Sequence, residues 1–355
     1  MNTGTILVTG ASGFVGKWTV LELLRAGFSV RGTVRRPDKV PAIQAAITHQ
    51  LGSEALSRFS HVEADLMDDA GWREAMAGVD AVCHVAAQIV AEEPRNADVV
   101  IRPAVEGTER VLRHAHAAGV RRVVMTSSIA TVAYGHGHER GRRDYDESHF
   151  TQLDSMRFTW AYCIGKTRAE QAAWTFARAN GMALTTIHPG AILGPALDDD
   201  ASISLLMVSD LLNGKTPAMP SNGFSIVDVR DVAAMHVAAL HNEASAGERY
   251  LAAGDYTPFP QVGQILREAY PDRTITQKIV PDWIIRVLAR FGGPTRQIIN
   301  DIGNEKHFDR TKGEALLGRP LRSSKEAILA AAESSIALGV VKADQASAAP
   351  ATVLS

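Results

Sequence analysis

A tyrosine and a lysine four residues apart stand in the stretch FTWAYCIGKTRAEQAAW, residues 158–174. The stretch predicts a helix, on which side chains at positions i and i+4 share a face. Tyr162 and Lys166 would then lie together, with only the small Cys163 and Gly165 beside them. One interpretation is a proton donor whose pKa is lowered by a neighbouring cation; the alternative is the polar edge of an ordinary amphipathic helix.

A second chemical pattern stands near the N-terminus, where TGASGFVG places glycines at positions 10, 13 and 16. Gly10 permits a tight turn, Gly13 lets a pyrophosphate approach the backbone, and Gly16 allows close packing of helix on strand. The free N–H groups and positive dipole end of that helix then face an anion. Glycines can serve turn geometry alone, but these open an alternating pattern of strands and helices, where a dinucleotide site is expected. The residues predicted to contact the cofactor here are Gly10, Ser12, Gly13, Phe14 and Val15.

The end of the second predicted strand distinguishes NADP from NAD. An NAD site usually offers an acidic residue to the ribose 2′-hydroxyl, whereas an NADP site offers arginine to the 2′-phosphate. The stretch VRGTVRRPDK carries Arg31, Arg35, Arg36 and Lys39, and no acid precedes Asp38. Because a guanidinium binds phosphate through two parallel hydrogen bonds, the stretch favours NADP(H), with Arg35 as the phosphate ligand and Lys39 or Arg36 assisting. A solvated basic turn is the alternative.

Alternating strands and helices must position these residues. Strands are predicted at 5–10, 28–35, 61–66, 80–87, 121–128 and 182–190, and the clearest helices at 13–27, 104–119 and 159–179. Strands that are apolar throughout and separated by helices indicate a parallel sheet covered on both faces. The predicted fold class is therefore α/β, a Rossmann-type doubly wound parallel sheet with a smaller, less regular C-terminal substrate lobe.

The domain boundaries are predicted where the regular alternation of strands and helices becomes less regular. We predict a dinucleotide-binding domain over 1–190, which also receives about 225–252 of the later chain. Residues 191–340, which begin with scattered prolines and the acidic DDD at 198–200, would mainly form the substrate-binding lobe. The last stretch, 344–355, is of low complexity and predicts a disordered tail.

Composition limits the class of protein. The 355 residues are 46% hydrophobic and 21% charged with a formal net charge of −2, and no basic block indicates a nucleic-acid or membrane-surface partner. The longest apolar run is too short to span a bilayer, and the chain enters a strand too early for a secretion signal. Cys83 and Cys163 give no disulfide framework. We expect a reduced, cytoplasmic protein, monomer or homodimer, that acts on a small molecule.

The motifs in order resemble one family. A serine follows the fifth strand in TSSIA, and Tyr162 and Lys166 begin the next helix. At this point the chain resembles the extended short-chain dehydrogenase/reductase family, in its dihydroflavonol reductase, cinnamoyl-CoA reductase and yeast-type ketoreductase branch. The matching stretches, spread over 3–340, are VTGASGFVG, VRGTVRRPDK, RPAVEGTERVL, VVMTSSIATV, YDESHF, KTRAEQAAW, HPGAILGP and FSIVDVRDVAAMHVAAL.

The resemblance implies a role for each motif residue. Ser128 would orient the substrate carbonyl, Tyr162 would donate the proton, and Lys166 would assist by lowering the tyrosine pKa from its usual value of about 10. Gly165 departs from the serine often found before this lysine, and we expect that change to be tolerated. The remaining cofactor contacts implied are Pro189 beside the nicotinamide, Asp65 and Leu66 at the adenine, and Val85, Ala86 and Ala87 along the ribose and phosphates.

The substrate is predicted from the side chains that the family places around its pocket. The corresponding stretches, roughly 129–160 and 191–225 with contributions near 255–305, supply apolar residues: Ile129, Tyr134, Phe158, Leu205, Leu206, Met207, Met219 and Phe224. An apolar, adaptable lining favours an aromatic or hydrophobic aldehyde or ketone, reduced with NADPH. A hydroxysteroid or sterol dehydrogenase remains open, because the same three residues serve both directions.

Single sequence features count against other classes of protein. A sugar-nucleotide epimerase should show an acid after the second strand or an anion-binding pocket, and the stretch 207–220 offers only Lys215. A non-catalytic dinucleotide sensor should lack the tyrosine or the lysine, and both are present. The loop carrying His136, His138 and His149 holds no ligand spacing for a metal, so we predict a solvated loop and no metal. His84, at the end of a buried strand, is expected to be hydrogen-bonded near the cofactor rather than catalytic.

Overall fold

The computed structural model describes residues 4–87, 93–137, 140–156, 158, 160–199, 202–291 and 295–342. The strands within them are β1 (Thr5–Thr9), β2 (Ser29–Val34), β3 (Phe59–Glu63), β4 (Ala81–His84), β5 (Arg122–Thr126), β6 (Gly141–Tyr145), β7 (Ala183–Pro189), β8 (Ala191–Leu193), β9 (Gly223–Asp228), β10 (Arg249–Ala252), β11 (Tyr256–Pro258) and β12 (Asn304–Phe308). His138 and the tail predicted at 344–355 lie outside the described residues.

Helices connect most of these strands. They are α1 (Phe14–Arg25), α2 (Val40–Leu51), α3 (Trp72–Met76), α4 (Asp98–Ala117), α5 (Ala161–Ala179), α6 (Ile203–Leu212), α7 (Val229–His241), α8 (Phe259–Ala269), α9 (Asp282–Leu288), α10 (Thr295–Ile298), α11 (Thr311–Leu317) and α12 (Ser324–Ala337). Short 3₁₀ helices include Ile129–Thr131, after β5, and Ala289–Phe291, after α9. None of the helices in the described ranges has the length and apolar character needed to cross a membrane.

Seven parallel strands form the main sheet in the order β10-β7-β5-β4-β1-β2-β3. Neighbouring residues of each strand alternate between the two faces, because the side-chain period of a strand is two. Leu7 therefore joins the core beneath α3, α4 and α5, whereas Ile6 and Val8 join the core beneath α1, α2 and α7. Helices cover both faces, so the predicted doubly wound α/β class is confirmed.

The third strand lies earlier than predicted. It spans Phe59–Glu63 rather than 61–66, so Asp65 and Leu66 follow the strand instead of ending it. The carboxylate of Asp65 accepts a hydrogen bond from the Met67 backbone N–H at 2.8 Å. An aspartate that bonds its own backbone two residues on forms a turn, and this competes with continued pairing in the sheet.

The later chain builds a smaller lobe and also returns to the main sheet. Strands β8, β9 and β11 form one small sheet, and β6 pairs with β12 in another. Strand β10 extends the main sheet beside β7, and α7 packs against α1. Lys17 on α1 is buried and forms an ion pair with Asp198, while Trp18 donates a hydrogen bond to the Pro195 carbonyl at 2.9 Å. These contacts fasten the segment after β8 to the helix that follows the glycine turn.

Candidate active site

The glycine turn between β1 and α1 has the geometry that its sequence predicts. Gly10 adopts φ +67°, a left-handed conformation that glycine takes without strain. A Cβ on Gly16 would overlap the Gly10 carbonyl oxygen, so only glycine lets α1 start this close to the turn. Gly13 precedes α1 without a side-chain cap. The first N–H groups of an α-helix have no partner within it, so this end of α1 can receive an anion.

The basic residues on and after β2 differ in what they contact. Arg31 donates hydrogen bonds to three backbone carbonyls at the end of α3, the closest being Ala77 at 2.6 Å, so it stabilises that helix terminus. Arg35 is exposed and makes no hydrogen bond or ion pair with the residues that the structure describes. Arg36 lies 3.7 Å from Asp38. The guanidinium of Arg35 is therefore available to a ligand.

The parallel register brings Arg35 beside the glycine turn. Val8 pairs with Gly32, and the Ala11 N–H donates to the Thr33 carbonyl at 3.0 Å. Strands β1 and β2 therefore end side by side, and Arg35 follows at the same edge of the sheet as Gly10. Ligands of open α/β sheets bind outside this carboxyl edge.

Thr9, which the sequence analysis did not single out, joins the turns after β1 and β4. Its hydroxyl accepts hydrogen bonds from the backbone N–H groups of Val85 and Ala86, both at 3.0 Å. The same hydroxyl lies 2.8 Å from Nδ1 of His84, whose Nε2 lies 3.3 Å from the Thr108 hydroxyl. Burial lowers the pKa of His84 to about 3, so this ring is neutral. The prediction that His84 is packed and hydrogen-bonded is confirmed.

The three predicted catalytic side chains come together at the end of β5. Ser128 begins the 3₁₀ turn Ile129–Thr131, where its Oγ accepts a hydrogen bond from the Ala130 N–H at 3.1 Å. The Ser128 hydroxyl also lies close enough to the phenol of Tyr162 to lower the pKa of that phenol. Lys166 is 7% exposed, and its Nζ donates to the Thr126 carbonyl at 2.9 Å. The loop after β5 and the first turns of α5 thus hold a hydroxyl, a phenol and an ammonium in one place.

A small cavity connects this cluster with the cofactor edge. Its lining includes Ala86 and Ala87 from the turn after β4 and Tyr162 and Lys166 from α5. Pro189 ends β7 and is buried. Gly165 faces α4, where a Cβ would lie 3.3 Å from that of Ala104. The glycine that departs from the family pattern therefore allows close packing of the two helices and does not face the phenol.

The protonation of Tyr162 differs from the prediction. Burial raises the pKa of Tyr162 above its ordinary value of 10.0, and the neighbouring Ser128 hydroxyl opposes this shift. Burial lowers the pKa of Lys166 to about 8. The predicted lowering of the Tyr162 pKa by Lys166 is therefore not found in the protein alone, where desolvation of the phenol is the largest influence. Tyr162 is protonated at neutral pH, as a proton donor must be.

A buried carboxylate behind the cluster was missed by the sequence analysis. Glu170 is 3% exposed and accepts hydrogen bonds from the Ser127 hydroxyl at 2.6 Å, Arg249 Nε at 2.9 Å and the Trp174 indole N–H at 3.2 Å. His188 lies 3.5 Å away. Glu170 follows Lys166 by one helical turn, and that spacing was the signal available in the sequence.

The larger cavity contains two of the side chains predicted to line the substrate pocket and overlaps the segment predicted near 255–305. It has a volume of about 180 Å³ and lies between the loop after β5, strand β6 and the segment 286–306. Tyr134 and Phe158 line it, but Leu205 and Met219, each 1% exposed, belong to the hydrophobic core, and Leu206 is 40% exposed. The other predicted residues, Ile129, Met207 and Phe224, are partly buried and outside its lining. Leu205 faces the core with Val208 and Leu212 because these positions share one face of α6.

The same cavity carries more cationic side chains than the stretch 207–220 led us to expect. Its cationic lining residues are Arg140, Arg143, Arg286, Arg290 and Lys306. They come from segments that are distant in sequence, whereas the sequence argument considered only the stretch 207–220. The objection to an anionic substrate therefore does not hold.

The histidine loop is partly packed rather than solvated. His136 Nε2 lies 2.7 Å from the Val132 carbonyl, and its ring packs against those of Tyr145 and His149 at 5.3 and 5.9 Å. The aromatic ring of Tyr145 supplies the apolar surface that the sequence pattern did not reveal. Within the described ranges, no group of three histidine, cysteine or acidic side chains could hold a metal ion.

The fold and this constellation are those of a short-chain dehydrogenase/reductase of the extended type. The sequence model of the family described as "NAD dependent epimerase/dehydratase family" matches residues 6–253, and the chain belongs to that family. It is 35% identical to a dihydroflavonol 4-reductase of Zea mays over 283 residues, which are 78% of this chain and 77% of the maize protein.

Two further proteins give the same placement. A cinnamoyl-CoA reductase 1 of Arabidopsis thaliana is 36% identical over 311 residues, 87% of this chain and 86% of the plant protein. The solved structure of yeast methylglyoxal/isovaleraldehyde reductase Gre2 complexed with NADPH superimposes with a TM-score of 0.76 at 24% identity, covering 95% of this chain and 99% of the yeast chain. At that identity the structural likeness establishes the fold.

Proposed function

We propose that this protein reduces the carbonyl group of an aldehyde or ketone with an apolar, aromatic-sized body, using NADPH and the phenolic proton of Tyr162. The enzyme class is an NADP(H)-dependent oxidoreductase, because relatives 33–36% identical over three quarters of the chain or more are named reductases. The observation that carries the proposal is the meeting of Ser128, Tyr162 and Lys166 beside the glycine turn.

The residues at the carboxyl edge fit a dinucleotide phosphate. The uncapped start of α1 offers backbone N–H groups to the pyrophosphate. Arg35 offers a guanidinium to the 2′-phosphate, with Arg36 or Lys39 assisting. We assign the adenine to the turn of Asp65 and Leu66, the ribose and phosphates to the segment 85–87, and the nicotinamide side to Pro189.

The side chains of the cluster then divide the chemistry. Bound NADPH supplies a hydride to the carbonyl carbon. As the π electrons of the carbonyl move onto oxygen, Tyr162 donates its proton to that oxygen and Ser128 hydrogen-bonds it. The charge of Lys166 stabilises the phenolate that Tyr162 becomes, until a proton from solvent restores the phenol. The products are the alcohol and NADP⁺.

The experiment that tests this function follows the dihydronicotinamide absorbance with purified protein, NADPH or NADH, and matched aromatic and aliphatic aldehydes and ketones. We expect consumption of NADPH that depends on the carbonyl, with formation of the alcohol confirmed by chromatography. Tight NADPH binding without turnover of any carbonyl would contradict the proposal.

Substitution of Arg35 tests the cofactor assignment. Hydrogen bonds to charged groups contribute about 1.5–3 kcal/mol, so Arg35→Ala should weaken NADPH binding roughly 10- to 100-fold. The NADH dissociation constant should stay within about twofold, because NADH lacks the phosphate. Both are measured by fluorescence titration, with Arg178→Ala, an exposed arginine on α5, as the control. Equal losses for the two cofactors would mean that another residue binds the phosphate.

The ionisation of Lys166 predicts an alkaline limb. Because the ammonium form is the active one and burial places the pKa of Lys166 at about 8, the protonated fraction falls as pH rises through that value. We expect kcat/KM for NADPH to decline above pH 8 by about tenfold per pH unit. The activity that remains in Lys166→Arg should lack this limb, since a guanidinium does not titrate there. A limb unchanged in Lys166→Arg would assign it to another group.

A second candidate function rests on the cationic cavity. A nucleotide sugar carries a diphosphate that arginines could bind, and an epimerase of this family would interconvert such a substrate without net consumption of cofactor. Incubation with uridine diphosphate sugars and catalytic NAD⁺ or NADP⁺, followed by chromatography of the sugars, tests it. The reductase is favoured because the relatives named above, which are 35% and 36% identical to this chain, are reductases.

A further inference from the structure

Five cationic side chains line the larger cavity and come from different parts of the chain. They are Arg140 before β6, Arg143 on β6, Arg286 on α9, Arg290 in the 3₁₀ turn Ala289–Phe291, and Lys306 on β12. Among the residues that the structure describes, Glu305 is the one carboxylate in the lining of this cavity. In a chain whose formal net charge is −2, such a concentration of positive charge produces a local field that attracts anions.

The charges of three of these arginines are not neutralised by the described part of the chain. Arg286 donates to a backbone carbonyl, that of Ile302, at 3.4 Å, and forms no ion pair there. Arg140 and Arg290 are exposed and likewise have no carboxylate partner among the described residues. Lys306, by contrast, forms an ion pair with Asp301 and lies 4.0 Å from the ring centre of Tyr134. The lysine is therefore already paired within the wall of the cavity, whereas the three arginines are available to bind a ligand.

Part of the remaining lining is apolar, and a series of ring contacts links Tyr134 in this lining to the proton donor. Met156, Phe158, Ile299 and Ile302 contribute hydrocarbon surface, and Tyr134 contributes a ring. The ring of Tyr134 packs on Trp160 at 5.3 Å between centroids, and Trp160 packs on Tyr162 at 5.2 Å. A ligand whose aromatic body lies along these rings would have one end near Tyr162 and the other near the arginines.

We infer that the substrate of this enzyme carries an anionic group, a carboxylate or a phosphate, at the end of the molecule remote from its reacting carbonyl. Arg286, Arg290 and Arg140 bind that group, because guanidinium groups pair with either anion through parallel hydrogen bonds. The inference rests on the proposed reductase function and narrows its substrate class.

The test compares benzaldehydes that carry an anionic or a neutral group at the para position, and the salt dependence and the arginine variants isolate the effect of charge. The probes are para-carboxybenzaldehyde, para-formylphenyl phosphate and the neutral para-methylbenzaldehyde, with NADPH at saturation. We expect kcat/KM for one of the anionic aldehydes to exceed that of the neutral one by about tenfold or more, and this preference to shrink as salt is raised. The stronger anionic probe identifies carboxylate or phosphate as the group.

Substitutions locate the binding of the anion. Arg286→Gln and Arg290→Gln should each remove most of the preference, chiefly by raising KM for the anionic aldehyde. The matched control is Arg142→Gln, because Arg142 is an exposed neighbour of Arg143 that is already paired with Asp144 at 2.7 Å. Equal kcat/KM for all three aldehydes, with no effect of either substitution, would overturn the inference and leave the reductase function standing.

A binding measurement separates the two proposals. Calorimetric titration with para-(hydroxymethyl)benzoate and its neutral analogue para-methylbenzyl alcohol needs no turnover. Tighter binding of the anion than of its neutral analogue, lost in Arg286→Gln, supports the anion site even if no aldehyde is reduced. A failure to reduce any aldehyde would contradict only the reductase function. Binding of the two alcohols with equal affinity counts against the anion site. Interconversion of a nucleotide sugar would overturn the inferred carbonyl substrate and assign the arginines to a diphosphate.

Discussion

The Tyr162→Phe variant should lose nearly all reductase turnover and still bind NADPH as the unaltered protein does. The phenylalanine ring keeps the packing on Trp160, at 5.2 Å in the native protein, but has no proton to give. General acid catalysis contributes about 10²–10⁴ in rate, so kcat should fall by about that factor. Steady-state rates and NADPH fluorescence titration measure the two effects.

The control for this variant is Tyr270→Phe. Tyr270 is a partly buried phenol after α8, outside the cluster of Ser128, Tyr162 and Lys166. We expect its kcat to be close to that of the unaltered enzyme, and the circular dichroism of both variants to be native. A Tyr162→Phe protein that reduces carbonyls at the unaltered rate would remove Tyr162 from the role of proton donor.

The second large effect is expected from Glu170→Gln, and it concerns stability. Although burial opposes it, His188, Arg249 and Ser127 hold the pKa of Glu170 below its usual range, so the residue is an anion in the folded protein. The side chain of Arg249 is only 8% exposed, and it would lose its carboxylate partner. Removing one member of a buried ion pair costs about 3–5 kcal/mol, and thermal and urea unfolding should show a loss of this size.

The catalytic consequence of Glu170→Gln should be smaller than that of Tyr162→Phe. Ser127, which donates to Glu170 at 2.6 Å, precedes Ser128, so the loop that carries the hydroxyl loses one of its anchors. We expect kcat to fall while the alkaline limb moves to lower pH, because the charge of Glu170 raises the pKa of Lys166. The control is Glu109→Gln, an exposed position on α4. Unfolding and pH profiles like those of the control would show that the buried network does not position the site.

The parts of the fold that the sequence predicted are those fixed by short stretches of chain. Gly10 and Gly16 belong to one short strand–turn–helix segment, and Tyr162 and Lys166 are one helical turn apart. Local backbone geometry therefore fixes the position of each pair. Six of the seven main-sheet strands follow from apolar runs bounded by turns, whereas β10 was not among the predicted strands. Strand β3 was displaced because the Asp65 side chain forms a turn with its own backbone, a competition that an apolar pattern does not reveal.

The parts that were missed depend on contacts between distant segments. Arg140 and Arg286 meet only after β6 pairs with β12, through residues more than a hundred positions apart in the chain. The partners of Glu170 likewise come from β5, β7 and β10. Leu205 belongs to the core and not to a pocket, because the buried apolar side chains of α6 lie on the same helix face as Leu205 and pack against the core. Single-sequence patterns give a residue type and a local direction, but not the neighbour it meets.

The central claim is that a hydride passes from NADPH to a carbonyl carbon at the site of Tyr162. It is tested most directly with NADPH deuterated at the transferring position, an aromatic aldehyde, and mass spectrometry of the alcohol. When the label is on the transferring face of the dihydronicotinamide, we expect deuterium on the carbinol carbon of every alcohol molecule. Tyr162→Phe should form labelled alcohol only at its residual rate. An alcohol that carries no deuterium from either labelled face, or sustained loss of NADPH without alcohol, would contradict the assignment.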